Sequence, residues 1–551
     1  METFDFIVIG AGSAGCVVAN RLSADPSKRV LVIENGGSDR DPRVKVPAGI
    51  LAMYGRPRFD YGFVGTPQPE LNNRRIPVNR GRMLGGSSSM NSMLYIRGAA
   101  EDYDEWRDLG CEGWSWQDVL PVFKALEKNR IGQDPALHGT AGELYVDRPK
   151  DPNPVCQDFI AAGETIGLPR NTDFNGRSQL GLGVYDVTQK NGIRFSAYNA
   201  FLEPVRGRSN LTIWTDTEVL RLMIEGKRVT GVEILRGGQI VTVSCRGEIV
   251  LSAGAIGTPV ILRASGIGPG ARLRQEGISV AVELPGVGQN LRDHVDGMIT
   301  VRSPSTRTLG ISFGNAGKLL AAPFSFAAGR KGLLSTNYVV AGGFAKTRYA
   351  GALPDVQFHF VPGYRSHRGR LVEWGHGFAI HTCVLRPKSI GELRLVRKDG
   401  RLMPEIDHRF FSDNQDARVL VEGIKLARAI FAAKPMADLQ GREILPGPEV
   451  RTDDDILRYL REEALTVYHP VGTAKMGRDP MAVVDPVSMK VHGIEGLRVA
   501  DASVMPTLIG GNTNAPSMMI GEKCARAIGA RQASATVTVL AGERLSEKTD
   551  Q

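Results

Sequence analysis

The sequence predicts an α/β protein with more than one domain, and three observations lead to this prediction. The chain has 551 residues, whereas a domain usually has roughly 100–200. Residues 4–33 alternate between strand-like and helix-like patterns. Residues 299–465 contain β-rich runs such as PDVQFHFVP and GFAIHTCVL, which indicate a second sheet. With 42% hydrophobic and 23% charged residues, the composition is globular and excludes a disordered or fibrous chain.

Charge and cysteine content limit the partners and the compartment. The net charge is +9, but the basic residues are scattered and form no nucleic-acid-binding motif, so we expect no nucleic-acid partner. The cysteines are widely spaced without a C-x-x-C pair, which argues against disulfides and zinc and fits a reducing compartment. The sequence has neither a secretory signal nor a run of about 20 apolar residues, and we therefore expect a cytoplasmic protein.

The N-terminus has the pattern of a βαβ unit. FDFIVI at 4–9 predicts a buried strand, CVVANRL at 16–22 a helix, and VLVI at 30–33 a second strand. Between the first strand and the helix lies GAGSAG, residues 10–15, which has the G-x-G-x-x-G spacing. We call residues 10–15 the fingerprint loop, and its position predicts a dinucleotide site.

Each fixed position of this pattern has a physical role. Gly10 permits a tight turn, Gly12 lets the backbone approach a pyrophosphate, and Gly15 lets helix and strand pack closely. Glu34 lies 34 − 15 = 19 residues beyond the third glycine and is placed to accept hydrogen bonds from a ribose. The pattern alone does not distinguish NAD from FAD, so an NAD-dependent dehydrogenase stays open at this point.

A second glycine-rich segment, GRMLGGSSSMN at 81–91, is here called the signature loop. Small residues and hydroxyls suit a loop folded over a pyrophosphate or a flavin ring, although a flexible Gly/Ser loop is the alternative. With GAIGTPVILRASGIG at 254–268 and GLRVADAS at 496–503, it resembles the glucose–methanol–choline (GMC) oxidoreductase family. LPGVGQNLRDH at 284–294 and YHPVGTAKMG at 468–477 extend the resemblance over nearly the whole chain. The similarity is greatest to the bacterial FAD-dependent alcohol and choline dehydrogenase branch.

The resemblance implies a domain organisation. A Rossmann-like FAD-binding domain would be assembled from the discontinuous segments 1–150, 195–298 and 466–532. An α+β substrate-binding domain with a central antiparallel sheet would comprise 151–194 and 299–465. Residues 533–551 would form a C-terminal extension.

The resemblance also implies which residues contact FAD. Members with covalent flavin attach it to a histidine, and the corresponding residue here is Met90, so we expect non-covalent FAD. The implied cofactor-binding residues are Gly10, Gly12, Ser13, Gly15, Glu34, Arg82, Gly86, Ser87, Asn91, Val219, Ala253, Gly254, Asp501, Ala502 and Thr513.

His469 and Asn512 are the catalytic residues that the resemblance implies. An imidazole, with a usual pKa of about 6.5, suits removal of the hydroxyl proton as a hydride passes to flavin N5. The amide of Asn512 would donate to the substrate oxygen as negative charge develops there. Asn514 is a near neighbour with which Asn512 is easily confused in so short a motif.

The other histidines have less specific interpretations. His359 alternates along a predicted strand and is a candidate for the substrate pocket. His294 is interpreted as packing near the cofactor. His376, His381 and Cys383 look like metal ligands, but FAIHTCVL reads as an ordinary strand, and we expect no metal.

The predicted substrate is an uncharged primary alcohol, aliphatic or aromatic, oxidised to the aldehyde. The choline branch usually has a glutamate in an E-x-G-G-F-like segment, and Val340 of VVAGGF is the corresponding residue, so we place Val340 in the substrate pocket. Electrons would pass to a quinone-like or other acceptor. The alternatives are an oxidase that makes H2O2 from O2, a choline dehydrogenase, and a flavin-containing hydroxynitrile lyase.

An apolar segment at 311–329 has three interpretations. It is a substrate-entry lid, a peripheral contact with the inner membrane, where quinones reside, or a buried helix. The sequence does not determine the oligomeric state.

Overall fold

The structure is a computed structural model that describes residues 2–364, 374–398 and 400–529. The predicted C-terminal extension therefore lies outside the described residues. Residues 514–529 are also helical. The α-helices are α1 (Ser13–Leu22), α2 (Pro42–Lys45), α3 (Ala100–Asp108), α4 (Trp116–Leu126), α5 (Val155–Thr165), α6 (Gly254–Ala264), α7 (Gly270–Gln275), α8 (Ala316–Gly329), α9 (Asn414–Ala432) and α10 (Asp453–Glu463).

The strands form two large sheets and several two-stranded ribbons. They are β1 (Thr3–Ile9), β2 (Val30–Ile33), β3 (Phe63–Gln68), β4 (Arg74–Val78), β5 (Glu127–Asn129), β6 (Leu144–Val146), β7 (Gly181–Val184), β8 (Gln189–Lys190), β9 (Ile193–Arg194), β10 (Leu211–Trp214), β11 (Thr217–Glu225), β12 (Arg228–Arg236), β13 (Gln239–Leu251), β14 (Ile267–Gly268), β15 (Val282–Glu283), β16 (Val295–Ser303), β17 (Gly310–Ile311), β18 (Ala341–Ala345), β19 (Val356–Val361), β20 (Gly375–Val384), β21 (Glu392–Lys398), β22 (Arg401–Asp407), β23 (Glu443–Leu445), β24 (Leu465–Thr466) and β25 (Leu497–Val499).

The first large sheet has the order β10-β2-β1-β13-β12-β11, with β25 paired to β13. β10, β2, β1, β13 and β25 pair in parallel, whereas β11, β12 and β13 form an antiparallel meander. All four residues of β2 are buried, as parallel strands covered on both faces require. The carboxyl ends of β1 and β2 lie side by side, where this type of sheet binds nucleotides.

The second large sheet has the order β18-β19-β20-β16-β23 and is antiparallel throughout. The predicted α/β class and the central antiparallel sheet are therefore confirmed. Helix α9 covers one face of this sheet, where Phe378 and Phe431 meet edge to face with ring centroids 4.8 Å apart. The predicted domain boundary at 298 falls inside β16, because this strand begins at Val295, directly after the LRDH segment.

β24 connects the second sheet to the site. It pairs with β16, and the chain then turns at Tyr468, whose φ is +68°. The cysteines of the described residues are all buried and unpaired. Within residues 2–364, 374–398 and 400–529, no helix combines the length and apolar character needed to cross a membrane.

Candidate active site

The fingerprint loop is packed so closely that two of its glycines have no room for a side chain. A Cβ at Gly10, whose φ is +99°, would lie 2.4 Å from the carbonyl oxygen of Ser252. A Cβ at Gly15 would lie 1.9 Å from the carbonyl oxygen of Gly10. These clashes agree with the turn and packing roles expected from the sequence.

Gly12 differs because the position that a Cβ would occupy is open. Among the described residues, a Cβ at Gly12 would approach only the oxygen of Ser252, at 3.9 Å. Gly12 is also the N-cap of α1, and in this part of the chain no side chain caps the helix. The first N–H groups of α1 therefore have no side-chain acceptor, which is the arrangement that binds phosphate.

Glu34 lies beside this loop at the end of β2. Its carboxyl group accepts hydrogen bonds from the backbone N–H of Ala11 (2.9 Å) and of Gly36 (2.8 Å). Burial raises the pKa of Glu34 to about 7. Arg82 donates to Asn35 Oδ1 (3.2 Å), and its buried Nε has no hydrogen-bond partner among the described residues. Arg82 and Gly36 line a polar cavity of about 280 Å³ with room for part of a nucleotide.

The signature loop lies directly on the fingerprint loop. The N–H of Gly85 donates to the carbonyl oxygen of Ala11 (2.8 Å), and a Cβ at Gly86 would lie 2.9 Å from the Cα of Gly12. Gly86 has a φ of +53°. The signature loop thus closes over the uncapped end of α1.

A third segment joins the same region through Asp501. Its carboxyl group accepts from the N–H of Gly254 (2.9 Å) and the hydroxyl of Thr258 (2.6 Å) on α6. Asp501 therefore links α6 to the end of β25. Ala253, the N-cap of α6, and Val219 on β11 are half-buried against the core of the first sheet.

These features fit a dinucleotide cofactor. The N-terminus of α1 has no side-chain cap, space is open at the Cβ position of Gly12, and Arg82 has a guanidinium nitrogen without a hydrogen-bond partner among the described residues. Ser13, Ser87, Asn91, Ala502 and Thr513 line a further cavity of about 210 Å³, which we call the site cavity. The cofactor cradle therefore opens onto the site cavity.

Met90 also lines the site cavity and is 3% exposed. Asn91 next to it is fixed by Arg194, whose Nη1 donates to Asn91 Oδ1 (3.1 Å) and to the carbonyl oxygen of Asn91 (2.6 Å). Met90 thus presents a thioether to the site cavity.

His469 enters the site cavity from the loop after β24. Its backbone N–H donates to Asp293 Oδ1 (2.8 Å), and the hydroxyl of Thr466 donates to Asp293 Oδ2 (2.6 Å). Arg80 Nη1 donates to the carbonyl oxygen of Tyr468 (2.7 Å). Asp293 and Arg80 therefore stabilise a loop in which Tyr468 adopts the strained left-handed conformation.

Burial keeps the His469 imidazole neutral. It lowers the pKa well below its usual value, and His294, His359 and Arg80 nearby lower it further. His469 Nε2 lies 3.2 Å from Asn512 Nδ2. Asn512 Oδ1 in turn accepts from Gln357 Nε2 (3.1 Å).

Asn512 and Asn514 have different surroundings. Asn514 Oδ1 accepts from the hydroxyl of Ser13 (2.7 Å) in the fingerprint loop. The structure therefore brings Asn512 to His469, and Asn514 to the cofactor cradle.

The second sheet supplies the opposite wall of the site cavity. His359 on β19 faces His381 on the adjacent β20, and both line the cavity. Burial lowers the pKa of His359 to about 3. His381 Nδ1 lies 2.6 Å from Asp296 Oδ2 on β16. In the described part of the chain, no three His, Cys, Asp or Glu side chains are grouped as metal ligands.

The structure does not place Val340 in the site cavity. Its side chain is only 2% exposed and packs in the core of the second sheet. Val339, one residue earlier, lines the site cavity instead. Consecutive residues of an extended segment face opposite sides, so a shift of one residue moves a side chain from core to cavity.

Several residues of the site were missed or interpreted too weakly from the sequence. His294 was interpreted as packing, but its Nδ1 lies 3.0 Å from His469 Nδ1. Gln357, Asp296 and His381 were not expected at the site. The LRDH segment was the only sequence signal that could have indicated His294. In the structure, both Asp293 and His294 of this segment contact the His469 loop.

A dinucleotide cradle that opens onto a buried, neutral imidazole paired with an amide defines a nucleotide-dependent oxidoreductase. Comparison with known families makes the class specific: the GMC oxidoreductase model matches residues 4–296 in its N-terminal part and 387–521 in its C-terminal part. The chain belongs to the GMC oxidoreductases, which bind FAD.

Relatives and solved structures agree over nearly the full chain. An alcohol dehydrogenase [acceptor] of Pseudomonas putida is 43% identical over 95% of both chains. An oxygen-dependent choline dehydrogenase of Rhizobium rhizogenes is 41% identical over 95% of this chain and 94% of its own. Pyridoxine 4-oxidase from Mesorbium loti is 30% identical with a TM-score of 0.85, over 95% of this chain and 98% of its own.

Proposed function

We propose that the chain is an FAD-dependent alcohol dehydrogenase that oxidises an uncharged primary alcohol to the aldehyde. The observation that carries the proposal is the pair formed by His469 Nε2 and Asn512 Nδ2, 3.2 Å apart, in a cavity also lined by the cradle residues Ser13, Ser87 and Thr513. The Pseudomonas putida relative is named as an alcohol dehydrogenase [acceptor], which supports the same chemistry.

FAD, when bound, supplies the acceptor for the hydride that leaves the alcohol carbon. His469, held neutral by burial, takes the hydroxyl proton at Nε2. The amide of Asn512 donates a hydrogen bond to the same oxygen and stabilises the charge that develops there. Asp293 and Arg80 hold the His469 loop, and Gln357 holds Asn512, so neither group has to move during the reaction.

A second cavity supports an apolar substrate. This apolar cavity, about 230 Å³, shares Tyr54, Ser92 and Val339 with the site cavity. Its wall is mainly aliphatic, with Ile50, Leu309, Ile311, Leu319, Leu333 and Val361. A substrate with its hydroxyl at His469 would place an alkyl or aryl body there, because transfer of each CH2 from water contributes about 0.8 kcal/mol.

Choline is the second candidate substrate, supported by the name of the Rhizobium rhizogenes relative. A quaternary ammonium needs an anion or an aromatic cage. Asp296 is the only acidic side chain among the described residues that line the site cavity, and its carboxylate is paired with His381 at 2.6 Å. Asp296 Oδ2 is already engaged by His381, which favours the uncharged alcohol.

The substrate proposal is tested with a series of primary alcohols from ethanol to 1-octanol, and with choline. We expect kcat/KM to rise by up to about fourfold per added methylene, and choline to be a poor substrate. Leu333→Trp, which fills the apolar cavity, should reduce the octanol-to-ethanol ratio of kcat/KM. Leu109→Trp, at a leucine 51% exposed elsewhere, is the matched control. A flat series with choline preferred would reject the uncharged substrate.

We propose that FAD is bound non-covalently, since Met90 replaces the histidine to which a flavin would be attached. Acid denaturation of the yellow holoenzyme followed by filtration measures this directly. We expect the flavin in the filtrate. Flavin that stays with the precipitated chain would reject the proposal.

We also propose that α8 contacts an anionic membrane surface, where quinone-like acceptors reside. The segment is not a buried helix: Phe313, Leu320 and Phe324 are 88%, 76% and 77% exposed. Lys318 lies among them and Lys331 follows the helix, as in basic, apolar membrane-binding helices. Leu319 on the same helix lines the apolar cavity, so an apolar alcohol could enter from the lipid.

Sedimentation with phosphatidylglycerol vesicles tests this contact. The wild-type chain should sediment, and Leu320→Ser with Phe324→Ser should remain in solution while keeping activity on ethanol. Equal sedimentation of both proteins would reject the proposal.

A further inference from the structure

His294 is buried between the imidazole of His469 and the backbone that follows β20. It is fully buried, and its Nδ1 lies 3.0 Å from His469 Nδ1. Its Nε2 lies 3.0 Å from the carbonyl oxygen of Leu385. The two rings are nearly perpendicular, at 89°, so the contact is a nitrogen-to-nitrogen hydrogen bond and not stacking.

The proton positions in this series of hydrogen bonds, from His469 through His294 to Leu385, follow from its last acceptor. A carbonyl oxygen can only accept, so His294 Nε2 must carry the proton and donate to Leu385. Burial lowers the pKa of His294 to about 4, so the ring is neutral and its Nδ1 has a lone pair. His469 Nδ1 must then donate to His294 Nδ1, because two lone pairs would repel each other. His469 Nε2 is left with its lone pair.

A second series of hydrogen bonds, which does not include His294, leads to the same proton position on His469. The hydroxyl of Tyr185 donates to the carbonyl oxygen of Phe358 (2.6 Å) and can accept from Gln357 Nε2 (3.3 Å). The same Gln357 nitrogen donates to Asn512 Oδ1 (3.1 Å), which orients Asn512 Nδ2 towards His469. A donor at Asn512 Nδ2 requires a lone pair at His469 Nε2.

We propose that His294 is a positioning residue that selects the tautomer of His469. It holds the proton of His469 on Nδ1 and leaves Nε2, on the side of Asn512, as the proton acceptor. The catalytic consequence rests on the proposed function, in which Nε2 takes the alcohol proton. The selection does not require His294 to touch the substrate.

Two substitutions test the role through reduction of bound flavin in anaerobic rapid mixing with 1-octanol. His294→Leu removes the acceptor for His469 Nδ1, and His294→Asn can keep one at Oδ1. We expect the limiting reduction rate to fall about 10- to 100-fold in His294→Leu. His294→Asn should recover much of that loss, with the apparent alcohol Kd and FAD content within about twofold of wild type.

His376→Leu is the matched control. His376 is also a buried histidine with two hydrogen bonds, to the carbonyl oxygen of Thr308 (2.9 Å) and to Ser312 Oγ (2.9 Å), and it does not line the site cavity. We expect its reduction rate to stay near that of wild type. Equal rates in His294→Leu and wild type, or equal losses in His294→Leu and His376→Leu, would overturn the positioning role.

Nitrogen NMR of the wild-type holoenzyme, labelled with 15N-histidine, provides a readout that does not depend on turnover. His469→Ala identifies the resonances of His469. We expect Nδ1 in the protonated range and Nε2 in the unprotonated range, and the opposite assignment would overturn the proposal. If no alcohol reduces the wild-type flavin, the proposed function fails, whereas these shifts still decide the tautomer.

Discussion

The cofactor cradle and the reacting centre are built in different ways. The cradle consists of short loops whose glycines approach each other closely, such as Gly10 with Gly15 inside the fingerprint loop and Gly12 with Gly86 of the signature loop. The reacting centre gathers side chains from segments far apart in sequence: His294 and His469 are 175 residues apart, and Gln357 and Asn512 are 155 apart. The cradle depends on local backbone shape, and the centre depends on the packing of the two sheets.

The largest expected effect falls on the reacting centre alone. His469→Ala should lower the rate of flavin reduction by at least about 100-fold, and up to about 10⁴-fold, because the proton acceptor is lost. FAD content should stay at the wild-type level, because no hydrogen bond of His469 within the described residues reaches the fingerprint loop. Rapid-mixing absorbance measures the rate, and near-normal reduction would contradict the assignment.

Asn512 and Asn514 separate the two regions most sharply, because they are two residues apart. Asn512→Leu should lower the reduction rate by about 100-fold, through loss of the donor to the substrate oxygen. Asn514→Leu should mainly weaken FAD binding, because it removes the partner of Ser13. Reduction rate and FAD affinity are measured for both variants. The same pattern of loss in both would mean that the two regions are not separable.

A change confined to the cradle should have a smaller effect. Gly12→Ala adds a methyl group where the protein leaves space, and we expect FAD binding to weaken about tenfold, or about 1.4 kcal/mol. Gly207→Ala, at a glycine with open space and an ordinary φ, is the matched control. Titration of the apoproteins with FAD gives the affinities, and equal affinity in both variants would place the pyrophosphate elsewhere.

The smallest expected effect is that of pH. The pKa of His469 is lowered, so the base is already deprotonated at pH 6, and raising the pH further adds no active form. The limiting reduction rate should therefore vary by less than about twofold between pH 6 and 9. Rapid mixing across this range tests the prediction, and a tenfold rise centred near pH 6.5 would mean that His469 titrates normally.

The fingerprint loop and Glu34 could be predicted from sequence because their roles depend on residues that are close together in the chain. Gly10, Gly12, Gly15 and Glu34 have roles fixed by spacing along one βαβ unit. Val340 could not be placed, because the choice between core and cavity depends on a one-residue register. The interpretation of His294 as packing missed a contact that forms only when the strand after LRDH and the loop before His469 come together. Asp296 and His381 likewise pair only across the antiparallel register of β16 and β20.

The anaerobic visible spectrum of the holoenzyme, before and after addition of 1-octanol, benzyl alcohol or choline, tests the central claim most directly. The account predicts that the flavin bands bleach with 1-octanol or benzyl alcohol, and much more slowly or not at all with choline. Slow recovery of the bands in air would favour a dehydrogenase, whereas rapid recovery would indicate an oxidase. Bands that bleach with choline alone, or with none of the three, would contradict the account.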